Sequence, residues 1–329
     1  MSNVQIPNVP ASNVPVSNIT DLRIASLLPS ATDIVAALGL GAHLVAVSHS
    51  CDHEIANGLP VITRSIIDSG QPQLEIDRAV SRALRLGLPL YQVLGERLEQ
   101  LRPNLILTQG VCEVCAVTPQ TLQASIKYLP DAIPSDAQIL TLSGENLHGI
   151  LADVYAVGRA SHRLDRANSL IERAEDDWNA LEPVAHAPRV MTLEWSDPPF
   201  FGGHWVPEQV TRAGGLNVLG GEGIPSGRTT WAQILETDPD VIVVMSCGYG
   251  LAQNARFAET ICSHLEARGL RAVQAGQVWA VDANALFSRP SLGVVRGAFV
   301  LRELLLGRSV AGSSVRVAPV VQVDQVLAR

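Results

Sequence analysis

Between Asn146 and Leu181 no proline interrupts the chain, and apolar residues return at helical intervals: Leu147, Ile150, Leu151, Val154, then Leu164, Ala167, Leu170, Ile171, Ala174 and Trp178. That three-and-four spacing predicts one amphipathic helix over 146–182. At about 1.5 Å per residue it would reach roughly 50 Å, enough to link two lobes. Gly158 is where it would kink. On either side the pattern changes to short apolar strands alternating with helices. Before it come strands at Ile24–Leu28, His43–Ser48 and Leu105–Thr108, with helices from Ser30 to Leu38 and from Glu96 to Leu101. After it come strands at Val190–Glu194, Val241–Met245 and Val278–Val281, with helices at Val206–Arg212 and Trp231–Glu236. Such alternation predicts mostly parallel sheets covered by helices.

The expected fold is therefore α/β: two lobes joined by a long helix. The 329 residues suffice for two domains, and an apolar share of 47% supplies the cores. The division expected is a disordered leader over 1–22, an amino-terminal lobe over 23–145, the linking helix over 146–182, a carboxyl-terminal lobe over 187–306 and a tail from 307. Parts of the two lobes also resemble each other. Leu101-Arg102-Pro103-Asn104-Leu105-Ile106-Leu107 parallels Thr237-Asp238-Pro239-Asp240-Val241-Ile242-Val243, and Leu38-Gly39-Leu40-Gly41 parallels Gly214-Gly215-Leu216-Asn217.

Charge and cysteine content narrow the function. A net charge of −8 argues against non-specific nucleic-acid binding, which needs a basic face. No apolar run approaches the ~20 residues of a membrane span. The amino terminus lacks the basic and apolar regions of a secretory signal, so the expected location is cytoplasmic, or periplasmic if the true start differs. The five cysteines suggest no disulfide framework.

In parallel α/β sheets ligands bind beyond the carboxyl ends of the strands. Those ends carry Pro29 and Ser30, then His49 and Cys51, then Gln109 through Cys112 and Cys115. In the second half they carry Trp195 through Trp205, then Cys247 and Tyr249, then Asp282 through Arg289. Aromatics are only 4% of the chain, yet Trp195, Phe200, Phe201 and Trp205 crowd one Gly- and Pro-rich segment, together with His204. Rings on a loop suit a large flat ligand or pack against the lobe beneath. Cys112-Glu113-Val114-Cys115 is one CxxC pair. A structural zinc site needs four ligands and there is no second pair, so structural or lining thiols, a ligand or metal contact and redox chemistry all stay open. Asp52, His53 and Glu54 read as a solvated turn. Ser30 reads as a helix cap, and Asp282 and Arg289 as polar contacts or partners of each other. No phosphate-binding glycine loop, nucleophile elbow or HExxH is present, so no catalytic residue and no resident metal are expected.

Residues 23–305 resemble the iron–corrinoid family of substrate-binding proteins from ABC uptake systems, and within it the cobalamin-binding branch. The matching segments are Ser26-Leu27-Leu28-Pro29-Ser30-Ala31-Thr32-Asp33, Leu90-Tyr91-Gln92-Val93, Thr108-Gln109 with the Cys112/Cys115 pair, Pro198-Pro199-Phe200, Gly214-Gly215, Asp238 through Val243, and Ser288-Arg289-Pro290. The resemblance implies two lobes with a corrinoid such as cobalamin clamped between them, no catalysis, and a monomer that serves an ABC permease. By the same likeness Tyr91 and Arg289 become ligand contacts. Glu96 matches the family's first transporter-docking acid, whereas Ala232 stands where the second would be. A cytoplasmic carrier or sensor fits that departure. The alternatives are a haem or ferric-siderophore carrier, which would want an axial ligand such as His204 or Cys247, and a CxxC metalloenzyme or thiol oxidoreductase.

Overall fold

In a computed structural model, residues 19–111, 117–127, 129, 133–181 and 186–317 are described. The expected leader falls largely on residues 1–18, outside the described residues, as do Cys112 and Cys115. The chain divides into two compact units, 1–176 and 177–329.

The first unit runs β1 (Ile24–Ser26), α1 (Pro29–Ala37), β2 (Leu44–Val47), β3 (Thr63–Ser65), α2 (Gln73–Arg85), β4 (Tyr91–Val93), α3 (Gly95–Leu101), β5 (Leu105–Gln109), α4 (Pro119–Ile126), β6 (Gln138–Leu142), α5 (Leu147–Ala160) and α6 (Leu164–Asn179). Its main sheet is β2-β1-β5-β6, parallel throughout, and β3 and β4 form a separate antiparallel pair. Ala25, Leu27, Ala46, Ile62, Leu98 and Ile106 pack one of its cores.

The second unit runs β7 (Arg189–Ser196), β8 (Pro199–Phe201), α7 (Val206–Arg212), β9 (Leu216–Asn217), β10 (Gly227–Arg228), α8 (Trp231–Thr237), β11 (Val241–Val244), α9 (Leu251–Ser263), α10 (Arg271–Gln274), β12 (Val278–Val281), α11 (Ala283–Leu286), α12 (Gly293–Leu305) and β13 (Ser314–Val317). Its parallel strands are ordered β9-β7-β11-β12, the same succession as β2-β1-β5-β6. Antiparallel β8, β10 and β13 are additions. The α/β class agrees with expectation; the first sheet is parallel as expected, whereas the second is mixed.

The sequence parallels correspond to one local structure made twice. α3 ends at Arg102 with φ 42° and α8 at Asp238 with φ 41°, both left-handed. A proline follows each, so neither helix continues. Arg23, just before β1, donates through Nε and Nη2 to the Leu101 carbonyl at 3.0 and 2.7 Å, and its backbone N–H reaches Asn104 Oδ1 at 2.8 Å. Arg189, opening β7, donates to the Thr237 carbonyl at 2.9 and 2.6 Å, and its N–H reaches Asp240 Oδ2 at 2.8 Å. The glycine parallel holds one position out of register: Gly39 matches Gly214 rather than Gly215, with φ of 72° and 90°, each turning the chain from a helix towards the next strand.

Three expectations need correction. The single helix over 146–182 is two, because His162 takes φ 57° and Arg163 N–H bonds to the Gly158 carbonyl at 2.7 Å, closing α5 with a Schellman turn. Gly158 does not kink a helix. It lets Ala167 of α6 approach so closely that a Cβ there would lie 2.4 Å from the alanine methyl. Ser30 is not a cap: it lies inside the first turn of α1 and is buried, and the N-cap position is Leu28. The segment after Gly307 is not only a tail, since β13 pairs antiparallel with β12, Arg316 opposite Trp279. No described helix is long and apolar enough to cross a membrane.

Arg102 makes a clean test of the left-handed helix end. Arg102→Gly should leave stability equal or raise it by up to about 1 kcal/mol. Arg102→Val should lower it by about 1–2 kcal/mol, read from urea unfolding.

Candidate functional site

Strand order locates where each sheet can hold a ligand. In the first unit the chain steps from β1 to β2 on one side and later fills β5 and β6 on the other, so the order reverses between β1 and β5. The equivalent reversal in the second unit lies between β7 and β11. At such points the loops leave in opposite directions and open a crevice beyond the strand ends.

In the first unit that edge is polar and its side chains hold one another. Ser26, the last residue of β1, pairs its hydroxyl with Thr32 Oγ1 at 2.8 Å, and Thr32 Oγ1 lies 3.1 Å from Cys51 Sγ. Pro29 and Ser30 begin α1, and Gln109, ending β5, is buried. His49 follows β2. Its backbone N–H and its Nδ1 both reach Thr63 Oγ1, at 2.9 and 2.7 Å, while the Thr63 hydroxyl donates to Ser48 Oγ at 3.1 Å. The ring of Tyr91, opening β4, lies 5.8 Å from the His49 ring. Partial burial lowers the His49 pKa and so favours the neutral imidazole. The β3–β4 pair thus brings Thr63 and Tyr91 to the end of β2, and the sequence carried no strand signal for Thr63.

The loop after β6 is fixed by a buried carboxylate. Asp153 of α5 accepts from the backbone N–H groups of Ser143 at 3.2 Å and Gly144 at 2.8 Å. Gly144 is required, because a Cβ would sit 2.5 Å from the Ile150 nitrogen.

In the second unit the same edge is aromatic. Trp195 near the end of β7 donates its indole N–H to the Asp197 carbonyl at 3.0 Å, and its ring lies 5.8 Å from Tyr249, which follows β11. Tyr249 in turn meets Phe257 edge-on at 5.0 Å. Beneath them Ser196 and Ser246 approach at 3.2 Å. Asn254, fully buried, accepts from Ser246 N–H at 2.8 Å and donates to the carbonyls of Tyr249 and Val281 at 3.1 and 3.0 Å, tying the ends of β11 and β12 together. Burial, and secondly the neighbouring Cys247, push the Tyr249 phenol up, so it remains a proton donor at neutral pH. Cys247 is exposed.

The rest of the crowded aromatic segment divides. Phe200 lies under the Arg228 guanidinium at 5.2 Å. Phe201 packs on the core of the sheet and against Gly220 and Gly227. Trp205 is corrected from ligand surface to core: it is 6% exposed and donates its indole N–H to the Phe287 carbonyl at 2.7 Å. His204 stacks on it at 5.7 Å with Nδ1 buried. Gln209, also buried, donates to the Leu286 and Val294 carbonyls. Trp205 and Gln209 therefore hold the chain on either side of Arg289, through the carbonyls of Leu286, Phe287 and Val294. Asp282 caps α11, its Oδ1 accepting from Ala285 N–H at 3.2 Å. Glu96 lies in the first turn of α3. No group of three or more potential metal ligands occurs among the described residues.

Residues 24–285 of the chain match the family described as periplasmic binding protein. The chain belongs to that family. Among its relatives is the vitamin B12-binding protein of Vibrio cholerae, 28% identical over 279 residues, which are 82% of this chain and 83% of that protein. Among solved structures, the periplasmic haem-binding protein HutB of V. cholerae aligns at 18% identity and TM-score 0.64, over 86% of this chain and 98% of the other. The periplasmic vitamin B12 binding protein BtuF of V. cholerae aligns at 22% and 0.57, over 86% and 96%.

The Asp153 carboxyl is pushed up to about 6 from an ordinary 3.8 because burial outweighs its two backbone hydrogen bonds. Between about pH 4 and 6 the folded chain holds a proton that the unfolded chain has released. Stability from this group is therefore highest below pH 4, falls as pH rises through that window by roughly 3 kcal/mol, and is level above it. Asp153→Asn should remove that slope, so urea unfolding at pH 4.5 and 6.5 should show the variant gaining on the parent at the higher pH.

Proposed function

We propose that this protein is a non-catalytic substrate-binding protein whose ligand is a corrinoid of the cobalamin type. The observation that carries the reading is the Trp195–Tyr249–Phe257 series of rings at the point where strand order reverses in the second unit. A corrin is broad, flattened and largely apolar on its faces, with amides around its rim. Trp195 and Tyr249 offer apolar area of limited flexibility for such a face. The Tyr249 phenol and Arg289 offer partners for the rim. The similarity to the V. cholerae vitamin B12-binding protein over most of both chains supports the same choice. Cys112 and Cys115 enter the proposal as thiols close in sequence to Gln109. An ABC permease is the partner the family suggests, with Glu96 as one docking residue.

A haem-type ligand is the second reading. It is favoured by HutB, whose structure aligns at a higher TM-score than that of BtuF. Calorimetric titration with cyanocobalamin, hydroxocobalamin and haemin separates the two. The expected result is saturable corrinoid binding near one to one at micromolar affinity or tighter, about −8 kcal/mol or better. Haemin binding without corrinoid binding would replace the first reading by the second.

Two tryptophans ten positions apart should behave differently. Trp195→Ala should weaken corrinoid binding by about 1–3 kcal/mol with little change in folding. Trp205→Ala should instead cost about 3–5 kcal/mol of stability, as a core truncation. Unchanged affinity in Trp195→Ala would remove the aromatic platform from the proposal.

A further inference from the structure

Thr63 settles which nitrogen of His49 is free. Its hydroxyl hydrogen goes to Ser48 Oγ at 3.1 Å, so its oxygen can only accept from its other neighbours. One of these is the His49 backbone N–H at 2.9 Å, and the other is His49 Nδ1 at 2.7 Å. Nδ1 must therefore carry the ring proton, which leaves Nε2 with its lone pair. The residue is exposed where the chain leaves β2, at the same edge as the Ser26–Thr32–Cys51 series, and Nε2 has no hydrogen-bond partner among the described residues. The Nδ1 bond and the ring of Tyr91 at 5.8 Å restrict the imidazole's rotation.

A histidine with Nδ1–H bound to an oxygen and Nε2 bare has the arrangement that metal-ligating histidines show, where the second contact fixes tautomer and ring direction. Three protein ligands are not needed when the metal arrives inside a macrocycle that already supplies four nitrogens. We propose that His49 Nε2 is an axial ligand to the cobalt of the bound corrinoid, with Thr63 as its positioning residue. In the ligation step a water leaves the cobalt and the Nε2 electron pair replaces it, with no change of oxidation state. A hydroxyl partner makes the imidazole a weaker donor than a carboxylate partner would. That suits a cargo which has to be given up again.

The proposal rests on the corrinoid reading, and the experiment keeps the two apart. Cobinamide, which lacks the nucleotide base, is used as the probe, so that any axial nitrogen must come from the protein. Binding of dicyanocobinamide and diaquacobinamide is measured first by equilibrium dialysis. The cobalt(II) form of the complex is then examined by electron paramagnetic resonance. The expected spectrum shows a nitrogen superhyperfine triplet that becomes a doublet in protein labelled with nitrogen-15 histidine. His49→Ala should lose the splitting while retaining the fold by circular dichroism. Thr63→Val should keep the splitting but weaken diaquacobinamide binding about tenfold, with dicyanocobinamide affected less. Saturable binding of both probes with no nitrogen splitting would overturn ligation and leave the corrinoid reading standing. A splitting that survives His49→Ala would assign the ligand to another residue. Binding of neither cobinamide nor cobalamin would remove the corrinoid reading and the ligation with it.

Discussion

An arginine at the entrance of a central strand, gripping the last carbonyl of a neighbouring helix, is the contact on which each unit's geometry depends. A helix ends with carbonyls that have no partner inside it and with partial negative charge. Arg23 and Arg189 answer that need with two donors apiece, and Asn104 and Asp240 return the contact to the arginine's own N–H. The result sets β1 against β5 and β7 against β11 at their amino ends. Because a strand advances by a fixed amount per residue, fixing register at one end also fixes which residues emerge at the other. Ser26 and Gln109 in one unit, and Ser196 and Ser246 in the other, emerge at the carboxyl edge of their sheets for that reason.

The two edges share a plan and differ in chemistry. The first is built of hydroxyls, a thiol and an imidazole linked in short series, each position explained by its neighbour. The second is built of rings supported by one buried asparagine. The polar edge suits the directional needs of a metal or an amide, the aromatic one the undirected attraction of a flat apolar face.

The sequence made legible whatever depends on neighbours in the chain. The repeated Pro-Asn and Pro-Asp entries to β5 and β11, the glycine turns and the strand alternation all read correctly because each is local. The break at His162 did not, since neither glycine nor asparagine marks that left-handed position and the helical spacing continues across it. Trp195 and Trp205 could not be told apart either. Both sit in one glycine-rich segment, and what buries the second is a carbonyl 82 positions away. Thr63 was invisible for a similar reason: its three-residue strand is too short to show a period, and its importance comes only from what pairs with it.

The last described strand has a consequence of its own. β12 is fully buried and wholly apolar, Val278-Trp279-Ala280-Val281, and one of its two hydrogen-bonding margins is occupied by β13. Without Ser314–Val317 that margin would be a bare row of amides and carbonyls beside a hydrophobic surface, the kind of rim that recruits strands from other molecules. β13 replaces it with a rim carrying Arg316, whose guanidinium covers the Trp279 ring at 5.7 Å and donates to the Gly276 carbonyl. The short carboxyl-terminal strand thus closes an edge of β12 that would otherwise stand open to pairing, and a truncation before Ser314 is expected to promote association.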